Sequence, residues 1–131
     1  MKFTLVDQIL ECGPARAVAL KNVTASEEYL ADHFPSFPVL PGVFMLEAMI
    51  QAARRVLEHQ GLTRMMLGEV RALRYGTFIR PGESLRVEVD LVKSEDGCFT
   101  FKGSGFRLCV GTEDPPDTAV SGRFTMRAAA P

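Results

Sequence analysis

Along Ser84-Leu85-Arg86-Val87-Glu88-Val89-Asp90-Leu91 apolar and polar residues alternate one for one. That period of two predicts a strand with one buried face. A turn signal, Arg80-Pro81-Gly82-Glu83, precedes it, and a strand from Leu67 to Ile79 precedes the turn. Ser94-Glu95-Asp96-Gly97 marks the next turn and leads into a strand from Cys98 to Val110. Within that strand Phe99 and Phe101 share one parity, whereas Phe106, Leu108 and Val110 share the other. Gly103-Ser104-Gly105 lies between the two sets and predicts a bulge or sharp bend. A polar loop, Thr112 to Asp117, separates this strand from a last one over Ala119 to Met126, and the Ala-Ala-Ala-Pro tail is expected to fray. At the other end, Lys2 to Glu11 is an apolar segment closed by a Cys12-Gly13-Pro14 turn, and Ala15 to Val23 reads as a second strand.

The middle of the chain follows different rules. Thr24-Ala25-Ser26-Glu27 fits a capping box, which predicts one or two helical turns ending near Asp32. Three prolines, Pro35, Pro38 and Pro41, then exclude helix and central strand and stiffen the loop that starts at His33. Pro41 suits a first helical position, the chain is helix-compatible to about Gln60, and Gly61 is a good terminator. Val43 to Ile50 is apolar all round except for Glu47, and the polar residues return at Arg54. The first half of this helix is therefore expected inside the protein and the second half to emerge. Two strands, one apolar helix and four strands with short turns are satisfied by an α+β architecture. A curved antiparallel sheet wraps a long central helix, in a single domain over residues 1–131.

Composition narrows the class. The 131 residues suffice for one core, and the net charge of −1 gives no general basic field for nucleic acid. No stretch approaches the roughly 18 uncharged apolar residues of a membrane span, and the N-terminus is a poor signal peptide. A cytoplasmic protein is expected. Cys12, Cys98 and Cys109 are odd in number, lack close-pair metal spacing and read as small buried residues. Neither a metal nor a cofactor is expected.

Three residues stand out for chemistry. Glu47 lies in the stripe Val43, Leu46, Glu47, Ile50, Ala53, Leu57. A buried carboxylate costs several kcal/mol unless it finds a partner or takes up a proton, which is what a general acid near neutrality must do. Gln51 lies one turn on and is placed to hydrogen-bond it. His33 opens the rigid proline loop and is a natural proton-transfer group. Gly42 stands at the helix N-terminus, where unpaired N–H groups and the helix dipole suit a carbonyl gaining negative charge. His59, at the polar end, reads as a solvated or capping residue.

The string His33-Phe34-Pro35, Pro38-Val39-Leu40-Pro41-Gly42-Val43, Leu46-Glu47-Ala48 and Gln51 closely resembles the active-site signature of 3-hydroxyacyl-ACP dehydratases of the FabA/FabZ type. Arg80-Pro81-Gly82-Glu83-Ser84-Leu85 is similar to that family's proline-glycine turn, and weaker similarity covers nearly the whole chain. FabA-type members typically carry Asp and Cys where Glu47 and Val43 stand, so the resemblance is to the FabZ type. It implies a hotdog fold and elimination of water from a (3R)-3-hydroxyacyl thioester, in fatty-acid or a related lipid or polyketide pathway. His33 would remove the C2 proton, Glu47 would assist departure of the C3 hydroxyl, and the Gly42 N–H would polarise the thioester carbonyl. In such proteins the pair comes from opposite subunits, so a homodimer, or a trimer of dimers, is implied.

The chain departs from the family at Asp32 and Ser36-Phe37, where glycine and glycine-lysine are usual, and the family's leading helix is not expected in it. An anion beside His33 either caps the preceding turn or favours the protonated imidazole. Arg54, Arg55, Arg71, Arg74 and Arg80 are candidates for a basic rim that docks an acidic acyl carrier protein, with CoA as the other carrier. Phe37, Phe44 and Met45 are candidates for an acyl tunnel. The competing readings are a hotdog acyl-thioesterase and a non-catalytic acyl-carrier-binding subunit.

Overall fold

The computed structural model of the chain describes residues 5–23, 40–109 and 116–128. Its elements are β1 (Gln8–Cys12), β2 (Arg16–Asn22), α1 (Gly42–His59), β3 (Met65–Tyr75), β4 (Ser84–Glu95), β5 (Cys98–Leu108) and β6 (Asp117–Ala128). The strands form one sheet in the order β1-β2-β4-β5-β6-β3, and every neighbouring pair is antiparallel. The helix lies against it, which is the hotdog arrangement. The expected capping box, His33, Phe37 and the frayed tail lie outside the described residues.

The alternation in β4 does what its period requires. Leu85, Val87 and Val89 are buried toward the helix, and the polar residues between them face outward. On the helix the buried residues are Met45, Ala48, Met49, Ile50, Ala52, Ala53, Val56 and Leu57. They meet Phe101 and Phe124, whose rings stack 5.6 Å apart. Close approach depends on Gly103 in β5: a Cβ there would stand 2.7 Å from Met49 Sδ and 3.2 Å from the Phe124 ring. The helix ends in a Schellman motif, with the Leu62 N–H donating to Leu57 O and the Gly61 N–H to Glu58 O. Gly61 takes the left-handed conformation this needs, with φ at 83°. In the β4–β5 hairpin, Asp96 and Gly97 both have positive φ, as a tight two-residue turn demands.

Several expectations need correction. β3 ends at Tyr75 rather than Ile79, and it pairs with β6, at the opposite end of the sheet from β1. The irregularity expected in β5 falls at Gly105/Phe106, but the extra residue, Ala119, belongs to β6. The first half of α1 is not enclosed on all sides, because a single sheet covers only one face of it. Val43 is 63% exposed. The cysteines are not buried either: Cys12 is exposed, and Cys98 and Cys109 are half-buried. All three sit at or beyond strand ends, where the sheet no longer covers them. No helix among the described residues is long and apolar enough to cross a membrane.

Candidate active site

The ends of the segment that carries His33 are both anchored on the stretch after β3. The Val23 N–H donates to Glu83 O and the Gly82 N–H to Val23 O, while the Leu40 N–H donates to Ile79 O. The proline-glycine turn thus fixes where the chain leaves the sheet and where it returns to start α1. Glu83 is the hub of that turn. Its carboxylate accepts from the Arg80 N–H at 2.8 Å and from the Cys109 thiol at 2.8 Å, with Arg107 at 3.8 Å. Burial alone would raise its pKa, but these hydrogen bonds and the Arg107 and Arg80 charges hold it below the usual carboxylate range. The same bond pushes the Cys109 thiol up.

A pH dependence follows. A depressed folded-state pKa adds stability that is present above the unfolded value, about 4.3 for Glu, and is lost as pH falls through the folded one. Stability should therefore drop on acidification below about pH 4.3, and Glu83→Gln should flatten that limb. Urea midpoints at pH 3.5 to 7 check this, and parallel curves for both proteins would exclude Glu83 as a source.

Pro41 is the N-cap of α1, and no side chain caps the helix. The N–H groups of Phe44 and Met45 donate to Pro41 O, whereas those of Gly42 and Val43 have no acceptor among the described residues. Their dipoles are left available at the positive end of the helix. The Tyr75 ring lies against Gly42, where a Cβ would come within 2.9 Å of Cε1. A glycine is needed for that contact. Burial raises the Tyr75 phenol pKa.

Glu47 follows on the second turn. It does not lie in the core as the stripe predicted: its side chain is 36% exposed, while Ile50, Ala53 and Leu57 are buried. The sheet takes the face centred on Met45, Met49, Ala52 and Val56, and Glu47 is on its margin. It is paired, as its chemistry requires. Gln51 Nε2 donates to Glu47 Oε1 at 3.4 Å, and Arg54 Nη1 stands 3.5 Å from the same oxygen. Gln51 is itself oriented, because its Oε1 accepts the Leu5 N–H at 2.7 Å, which turns the amide nitrogen toward Glu47. Arg54 Nε donates to Met65 O at 3.2 Å, on the first residue of β3.

Of the predicted site residues, the structure brings together Glu47 and Gln51 and places Gly42 and Val43 at the helix start. Phe44 is half-buried against the core, and Met45 belongs to the core itself. Arg54 was expected in a basic rim, but its guanidinium is engaged by Glu47 and Met65, while Arg55 pairs with Glu58 and Arg71 with Glu69. The spacing of 47 and 54, two helical turns, carried a signal for this pair. Nothing local links Tyr75 to Gly42. Among the described residues, no group of three or more His, Cys, Asp or Glu side chains is placed to hold a metal ion.

The chain is similar to known proteins over most of its length. The family model of ApeI-like proteins, described as ApeI dehydratase, matches residues 11–112. The FabZ 3-hydroxyacyl-[acyl-carrier-protein] dehydratase of Pelotomaculum thermopropionicum is 46% identical over 109 residues, 79% of this chain and 77% of that protein. That of Geobacillus thermodenitrificans is 39% identical over 106 residues, 77% and 72% of the two chains. Among solved structures, the dehydratase heterocomplex ApeI:P from Xenorhabdus doucetiae superposes with a TM-score of 0.70 at 21% identity, covering 97% of this chain and 84% of that one. A hypothetical thioesterase with coenzyme A from Streptococcus pneumoniae gives 0.71 at 13%, covering 93% and 84%. At such identities the likeness to the solved structures establishes the hotdog fold alone. The extent and identity of the sequence matches go further: this chain belongs to the ApeI-like dehydratases and to the family of FabZ 3-hydroxyacyl-[acyl-carrier-protein] dehydratases.

Proposed function

We infer that this chain is a hydro-lyase that removes water from a (3R)-3-hydroxyacyl thioester on an acyl carrier protein and yields the trans-2-enoyl thioester. The observation that carries the reading is on α1. The N–H groups of Gly42 and Val43, without an acceptor among the described residues, head the helix, and a held carboxylate, Glu47, follows about 7.5 Å along its axis. The thioester carbonyl accepts from the Gly42 N–H, which stabilises the enolate-like charge that develops when C2 loses its proton. His33 takes that proton. Glu47 delivers a proton to the C3 hydroxyl as the C3–O bond breaks, so that water leaves and the C2–C3 double bond forms. His33 then returns its proton to solvent and Glu47 is reprotonated from solvent. Val43 and Phe44 follow Gly42 on α1, and Phe44, half-buried against the core, is the described candidate for the acyl path.

A homodimer accompanies this reading. β3 is an edge strand whose outer side pairs with nothing among the described residues. Val43, Tyr75 and Phe78 are large exposed apolar residues near the start of α1. The resemblance to dehydratases whose acid/base pair comes from opposite subunits supports a second copy on that face. The cytoplasm suits three cysteines that form no disulfide. The test is incubation with 3-hydroxyacyl and 2-enoyl thioesters of acyl carrier protein and of CoA, following their interconversion chromatographically. Dehydration on the carrier protein supports the reading; release of free thiol, or binding without turnover, overturns it.

A further inference from the structure

We propose that Arg54 is a positioning residue for Glu47, an inference that rests on the acid role given to Glu47 above. Residues 47, 51 and 54 fall within about 60° of one another around the helix, so their side chains share one stripe. The two polar neighbours of the carboxyl group both address Oε1: Gln51 Nε2 at 3.4 Å and Arg54 Nη1 at 3.5 Å. Oε2 has no hydrogen-bonding partner among the described residues. That asymmetry has a chemical consequence. With Oε1 held by Gln51 and Arg54, Oε2 is the oxygen left for proton exchange with the substrate. The carboxyl group is thereby aimed through one oxygen, with two side chains behind the other.

The arms are themselves tied down at both sides of the helix. Gln51 is held by the Leu5 N–H at 2.7 Å and Arg54 by Met65 O at 3.2 Å. The chain Leu5, Gln51, Glu47, Arg54, Met65 therefore straps the catalytic carboxyl between the segment before β1 and the start of β3. Only a guanidinium does this at position 54, because Nε serves Met65 while Nη1, in the same plane, reaches Glu47. Lysine carries its three N–H donors on a single nitrogen and cannot reproduce the two separated, coplanar donors of the fork. A half-exposed pair at this separation adds little to stability, so its value is in geometry.

Steady-state kinetics of Arg54→Met should show kcat reduced on the order of tenfold with KM changed less than about twofold, the signature of a misaimed group rather than lost binding. Arg54→Lys, which keeps the charge and loses the fork, should stay below about half the unmodified kcat. In a Glu47→Gln background, Arg54→Met should alter the residual rate less than about twofold, because its effect passes through Glu47. An N-acetylcysteamine thioester, which has no carrier to dock, should show the same loss in kcat as the carrier-bound substrate. Unmodified kcat in Arg54→Met, equal losses in both backgrounds, or a KM effect confined to the carrier-bound substrate overturns the proposal. If Arg54→Met does not fold, full activity in Arg54→Lys overturns it alone. Absence of turnover by the unmodified chain on either substrate overturns the reading of Glu47 itself.

Discussion

Replacing Glu47 by Gln should leave the chain folded and lower kcat for dehydration by about two to four orders of magnitude, the range of a lost general acid. The two effects separate because of where the side chain sits. Glu47 is partly exposed, and a glutamine keeps an oxygen for Gln51 and Arg54 to address. The half-exposed contact with Arg54 that it weakens is worth about 1 kcal/mol at most. The thermal midpoint should therefore move by only a few degrees while the chemistry stops. His33→Ala should reach a similar residual rate, and the double substitution should fall little further, since the two groups act on one elimination. Retention of a tenth or more of kcat in Glu47→Gln would place the acid elsewhere.

Gly76→Val should have the largest effect on stability, about 3 kcal/mol. Gly76 directly follows β3. Its N–H donates to Ala119 O at 2.8 Å, and the next N–H, of Thr77, to Thr118 O at 3.2 Å. A Cβ at 76 would fall on the Thr118 carbonyl oxygen, far inside van der Waals contact. That atom is backbone and cannot rotate away, so the chain after β3 must leave β6 and give up both bonds. Tyr75, one residue earlier, rests against Gly42, and its displacement should reduce kcat in the fraction that still folds. Urea denaturation and kinetics on the same sample check both parts. An unchanged midpoint would show that the strand end yields cheaply.

The elements of this chain were legible wherever one local rule dominated. The alternation of Ser84 to Leu91, the turn at Asp96-Gly97 and the helix stop at Gly61 appear as read, because each depends on side-chain parity or on a single backbone conformation. Strand boundaries drifted where the chain bends toward a partner that periodicity does not name, as at Tyr75. The neighbours of Glu47 were half legible. Gln51 follows from helical spacing alone, whereas Arg54 read as a rim cation because the carbonyl that orients it, on Met65, comes from another element.

By itself the sequence determined the order of elements and the sheet-around-helix class, and it singled out His33, Gly42 and Glu47 as candidates for the chemistry. Those properties are written in short-range periodicity and in a motif that is continuous in the sequence. Only the tertiary structure decided that β3 crosses to pair with β6, that Tyr75 covers Gly42, and that Glu47 stands at the margin of the core between Gln51 and Arg54. Each is a contact between distant segments, set by which face of the helix the sheet can cover. A single sheet covers one face, and the carboxylate lies where that cover ends.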